Sequence, residues 1–250
     1  MALFADHDVT TIEDLAGIDH NVLSIAGVEG IDLTKKIILA QQLLIQEISR
    51  RLAREQDDAA AYHTSQVVST PTLRLCHAFK AIELVYQEAF AGQGLERFER
   101  CQATFARLSE NTLAVELEQG LAIASEPLPR PGIPTVGAAS GVGPSGALEF
   151  SVSWMNQRGQ ESLIGAAVAV ENSTGEGIAL TPPAPPEFAT AWLVYANQAG
   201  EMPLRQSGPL ALDQTWTTGE QFVDLGRNDG GQAGDETLRL VLQSGRLRRG

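Results

Sequence analysis

At 250 residues the chain has room for two hydrophobic cores, and its composition changes near the middle. Its net charge of −13 divides as 10 Lys/Arg against 19 Asp/Glu up to Glu126 and 8 against 12 beyond it, which excludes the general basic face that a sequence-independent grip on nucleic acid requires. The opening MALFADHDVTT has neither a basic nor an apolar signal region, and no apolar run nears the roughly 20 residues of a membrane span, so a soluble, cytoplasmic protein is expected.

Residues 1–126 are rich in Leu, Ala, Glu, Gln and Arg with helical spacing, and the rest is rich in Gly, Pro, Ser, Thr and Val in short runs. The expected fold class is therefore multidomain α + all-β, a helical bundle followed by an immunoglobulin- or fibronectin-like β-sandwich. Thr10 or Thr11 caps a first short helix, Ile12 to Ala16, closed by Gly17. Asp19 is read as the cap of a second helix that stops near Gly27, and Asp32 as the cap of a third, Leu33 to about Arg54. The third helix carries a stripe of Leu33, Ile37, Leu44, Ile48 and Leu52 flanked by Ile38 and Ile45, with Lys35, Lys36, Gln41, Glu47, Arg50, Arg51 and Arg54 on the other side.

The organising element is VVSTPTLRLCHAFKAIELVYQEAF, Val67 to Phe90. Thr70 is an N-cap and Pro71 fits N1, where its missing N–H costs nothing. Leu75, Phe79, Ile82, Val85 and Tyr86, with Ala89 and Phe90, are expected to form one buried face. Gly92 and Gly94 make a turn into a fifth helix, Leu95 to about Glu118, whose Phe98, Cys101, Phe105 and Leu108 predict the seam of an antiparallel hairpin. Cys76 and Cys101 fall on apolar stripes of different helices and read as free structural thiols.

Pro127, Pro129, Pro131 and Pro134 predict a stiff linker over 127–135, which separates a helical domain, 1–126, from a sandwich domain, 136–227. Strands are expected at Ile133–Ala138, Ala147–Met155, Ile164–Glu171, Ile178–Thr181 and Thr190–Asn197, with weaker ones near Leu204, Thr215 and Phe222. Leu148, Phe150, Val152 and Trp154 alternate inward, with Glu149, Ser151 and Ser153 outward. A flexible tether and basic tail complete the chain over 228–250: NDGGQAGD precedes TLRLVLQ, a strand that closes the sandwich or pairs with another chain, the second being the favoured reading.

No spacing in the sequence carries chemistry. His7, His20, His63 and His77 are scattered without a metal-binding pattern, and GVEG, GVGPSG and GGQAG match neither a phosphate loop nor a dinucleotide turn. No enzyme, cofactor or metal is expected. An aromatic platform for a sugar or surface ligand is the alternative reading of the sandwich, with Trp216 and Tyr195 as its candidate rings and Trp154 and Trp192 in the core.

Two stretches carry a resemblance. SVSWMNQRGQES resembles a late hairpin of fibronectin type III domains, and IALTPPAPP and TAWLVYANQAG resemble their early strands, in an order that departs from that family. STPTLRLCHAFKAIELVYQEAF with GQGLERFERCQATFARL resembles the helical hairpin of the head–tail adaptor (connector) proteins of tailed bacteriophages. That resemblance implies a virion neck protein assembled in the bacterial cytoplasm: a homo-oligomeric ring, commonly a dodecamer, between portal protein and the next neck or tail protein. Genomic DNA would pass through its acidic lumen without specific binding. It also implies a C-terminal segment that docks on the portal, for which the candidates are Leu238, Arg239, Leu240, Val241, Leu242, Arg246, Arg248 and Arg249.

Overall fold

The computed structural model describes residues 3–6, 9–55, 62–226, 232, 234 and 236–238. Five helices occupy the N-terminal half and antiparallel sheets the C-terminal half, so the chain is multidomain α + all-β. It divides into two compact units. Phe4–Ser125 with Gly234 and Glu236–Leu238 form the helical unit, and the described residues of Glu126–Ala233 form the sandwich unit.

In the helical unit, α1 (Ile12–Ile18) is capped by Thr11, whose Oγ1 accepts from Asp14 N at 3.2 Å while Thr11 N donates to Asp14 Oδ2 at 2.8 Å. α2 (Val22–Glu29) starts after Asn21, not Asp19, and runs past Gly27 to Gly30, which takes the left-handed conformation (φ 67°) that ends a helix without a Cβ clash. Asp19 lies two residues before the N-cap position, and its Oδ1 accepts from Asn21 N instead. α3 (Leu33–Glu55) buries Ala40, Gln41, Leu44, Ile48 and Leu52.

α4 (Pro71–Gln93) begins as expected, with Thr70 Oγ1 accepting from Leu73 N at 3.1 Å and Pro71 in the first turn. It is buried on more than one face, because α1, α2, α3 and α5 all pack on it. Leu75 departs from the expected stripe and is 43 % exposed. The small residues Cys76, Ala78 and Ala81, together with His77, take the buried positions that let neighbouring helices approach. α5 (Glu96–Gln119) folds back after Gly94 (φ 65°) and forms the hairpin, with Tyr86 stacked on Phe105 at 5.8 Å and Phe79 at 6.1 Å from the same ring. Two apolar clusters result: one around Leu44, Ile48, Leu73 and Leu117, the other around Leu15, Val22, Ile82, Val85 and Phe98.

A short sheet follows α5. β1 (Leu121–Ile123) pairs antiparallel with β10 (Glu236–Leu238), Leu121 opposite Leu238 and Ile123 opposite Glu236. On its other side Val68 N donates to Ala122 O and Ala124 N to Gln66 O, both at 2.8 Å. Of the strand expected over 237–243, Thr237 and Leu238 thus pair within the chain, with β1 in the helical unit, and neither close the sandwich nor follow the favoured reading of a pairing with another chain; the rest of that strand lies outside the described residues. Gly234 fits this approach, since a Cβ there would lie 2.9 Å from Ala122 Cβ.

The sandwich unit has a three-stranded sheet, β2 (Thr135–Val142), β5 (Glu176–Thr181) and β9 (Trp216–Thr217), in the order β2-β5-β9. It faces a second sheet of order β4-β3-β6-β7: β4 (Val168–Asn172), β3 (Gly146–Met155), β6 (Ala191–Gln198) and β7 (Leu204–Arg205), with β8 (Leu210–Ala211) also on β6. Leu148, Phe150, Val152 and Trp154 meet Ile178, Leu180, Trp192 and Val194 in the core. The expected strand near Phe222 is absent: Gln206 substitutes for a strand neighbour there, donating from Nε2 to Val223 O and accepting from Val223 N, both at 2.8 Å. The expected linker is not a free spacer. Leu128 is buried in the sandwich core, Arg130 Nε donates to Ile164 O at 2.6 Å, and Gly165 lies so close to Pro131 O that a Cβ would stand 2.7 Å away. The expected tether is also fixed at one point, where Gln232 is buried, donates to Glu126 O and accepts from Leu128 N at 2.8 Å; Arg227–Gly231, Ala233 and Asp235 lie outside the described residues.

Candidate assembly surfaces

The helical unit leaves large apolar side chains in solvent on its outer helices. On α2, Val28 is 76 % exposed and Leu23 is also exposed; α3 presents Ile38 and Leu39, and α5 presents Val115, with Leu95 at its N-cap. A cleft of about 370 Å³ opens between α2 and α5. Asn21, Ser24 and Ile25 line it from one side, Phe98 and Cys101 from the other, and Arg97 sits over the Phe98 ring at 4.7 Å from its centroid. Val28 continues the same α2 face at helical spacing. A second opening of about 510 Å³ between α3, α4 and α5 is polar, and its cations are paired: Arg50 and Arg51 with Glu47, Lys80 with Glu83. Leu23 and Val28 escaped the sequence reading because α2 is two turns long, too short for a stripe to define an outer face, and Ile38, expected to flank the buried stripe of α3, lies exposed instead.

Several buried polar groups satisfy one another, although Ser69 Oγ is buried without a hydrogen bond. Thr70 Oγ1 caps α4 and donates to Glu116 Oε1 at 2.7 Å, which brings a buried carboxylate of α5 to the start of α4. His77 Nε2 donates to Ile37 O at 2.9 Å, so Nδ1 accepts from Thr10 Oγ1 at 2.8 Å. Burial holds this imidazole below its usual pKa, against the opposing effect of the Ile37 carbonyl. Cys76 lies against Ser109, and burial raises its thiol to about 11, which makes it inert at neutral pH. The Tyr86 hydroxyl donates to Asp19 Oδ2 at 2.5 Å; burial first, then the Asp19 carboxylate, pushes its phenol above the usual range. In the sandwich unit Glu161 Oε1 accepts from Ser153 Oγ at 2.5 Å and from Tyr195 OH at 2.6 Å, and burial followed by Glu161 raises Tyr195 likewise. Ser153, expected on a solvated face, is thus buried with a partner, and Ser151, expected there too, is buried opposite Tyr195.

The candidate platform rings do not come together. Tyr195 is wholly buried, which removes it as a ligand platform, and half-buried Trp216 packs on Phe150 at 6.3 Å between centroids. Of the candidate docking residues, Leu238 stands at the end of β10 opposite Leu121; Arg239, Leu240, Val241, Leu242, Arg246, Arg248 and Arg249 lie outside the described residues. Among the described residues no three His, Cys, Asp or Glu side chains converge on a metal-binding arrangement, and no described helix is long and apolar enough to cross a membrane. Comparison of the sequence with protein-family models and with curated proteins returns no match to either.

Proposed function

We propose that the chain is a structural virion protein of the head–tail connector type, without catalysis. Its copies form a ring between the portal and the tail, and the helical unit makes the ring contacts. The observation that carries this reading is the apolar surface on the outer helices, above all Val28 and Leu23 of α2, which packing within the unit leaves unused. Heterologous contacts between different faces of identical subunits close into rings, and separate apolar sites on α2, α3 and α5 suit such contacts. The net charge of −13 suits a lumen that repels DNA and lets it slide through. The C-terminal tail with its four arginines supplies the portal contact, leaving from β10 in the helical unit. The sandwich is an appended docking or spacing module.

Native mass spectrometry of the full chain tests the proposal, alone and with the portal protein of the same virion. A ring alone, or a high-order complex formed with the portal and lost on removal of residues 239–250, is expected. The exposed position of Val28 makes Val28→Asp neutral for folding and disruptive for the ring. A monomer indifferent to the portal, to the tail and to Val28→Asp overturns the reading.

A further inference from the structure

The sandwich unit has one sheet edge built unlike the rest of the chain. β2 pairs only with β5 among the described residues, so its other edge presents unpaired backbone N–H and C=O groups. All eight of its residues are exposed or half-exposed. Natural edge strands are kept apart by charged side chains, prolines or bulges. β2 has no charge and no proline, and its bulge falls only between Ala139 and Val142, which leaves Thr135 to Ala139 in unbroken register with Thr181 to Gly177. The apolar side chains of Ile133 and Val142, 59 % and 62 % exposed, flank the edge.

The charge pattern selects the occupant. Pro131 to Leu148 is a run of 18 residues without a charged side chain, the longest in a chain of net charge −13. Two copies of so acidic a protein repel each other over most of their surface, and this edge is where they meet with no like charges opposed. We propose that β2 is a homotypic contact, through which two copies join antiparallel about a two-fold axis and their three-stranded sheets become one sheet of six. The regular stretch from Thr135 to Ala139 is centred on Gly137, so the axis sets Gly137 against its own counterpart. Val136 faces the core, which turns Gly137 outward, and a Cβ built on Gly137 meets nothing within 4 Å. This inference stands apart from the connector reading, because it uses the sandwich unit alone.

The test uses the full chain in a Cys101→Ser background, since Cys76 is buried and Cys101 is the other native thiol. Gly137→Cys should form an intermolecular disulfide under mild oxidation. Gly137→Lys, which sets two lysines against each other, should halve the mass measured by sedimentation velocity, and Gly137→Ser should leave it unchanged. Far-UV circular dichroism melts check that all three variants fold alike. The proposal is overturned by a parent protein of monomeric mass at about 50 µM, by absence of the Gly137→Cys disulfide, or by a mass that Gly137→Lys does not change. A ring that persists with Gly137→Lys at full mass overturns the β2 contact and leaves the connector reading standing. A ring of halved mass upholds both. A β2 edge occupied by some other protein in a parent that is otherwise monomeric overturns the homotypic assignment.

Discussion

Thr70 does two jobs with one hydroxyl: it accepts from Leu73 N as the cap of α4 and donates to the buried Glu116 carboxylate. Thr70→Ala removes the cap and strips a buried acceptor of its donor, so a loss of about 3 kcal/mol is expected by chemical denaturation, whereas Thr70→Ser keeps most of the stability. His77 adds a pH dependence. Its folded-state pKa is lowered, so below the unfolded value of about 6.5 the unfolded chain takes up a proton that the folded imidazole refuses. The stability linked to His77 is therefore complete above that value and declines as pH falls toward the folded pKa. His77→Gln retains a donor for Ile37 O and cannot titrate, so its melting temperature should fall less steeply between pH 7 and pH 5 than that of the parent.

At the scale of elements, α4 separates what the sequence declares from what only packing decides. The Thr70-Pro71 start and the Gly94 stop are local chemistry, and both are visible in the residues themselves. The face is another matter. Leu75 fits a helical stripe as well as Ile82 does, yet Leu75 lies in solvent and Ile82 is wholly buried, because α4 is surrounded by helices whose positions no local spacing records. Ile82→Ala should cost about 3 kcal/mol and Leu75→Ala less than about 0.5 kcal/mol, a contrast that urea denaturation resolves. In the sandwich the alternation of Leu148, Phe150, Val152 and Trp154 was legible for the same reason as the cap: period two is written in consecutive residues. β1 was not legible, since three residues after a helix make a strand only through partners at Gln66–Val68 and Glu236–Leu238, far away in sequence. The candidate surfaces were illegible too. An exposed valine such as Val28 looks like a core residue until the fold shows what it fails to touch.

For the whole molecule, the notable fact is that the helical unit is built from two separate stretches of chain, with the sandwich sequence lying between them. Truncation after Ala233 removes β10 and leaves the β1 edge without its neighbour, so the helical unit should lose about 1–2 kcal/mol while the sandwich melts as before. Hydrogen exchange followed residue by residue separates the two, with faster exchange expected at Leu121–Ile123 and none of the change at Phe150–Trp154. The same connectivity sets an order of events during synthesis. A ribosome delivers α1 to β1 first, then the entire sandwich, and only afterwards the strand that completes the small sheet. The helical half thus waits, with one edge open, for residues made more than a hundred positions later. If that half builds the ring, subunits meet in their finished form only once translation has passed Leu238, which ties assembly to the arrival of β10.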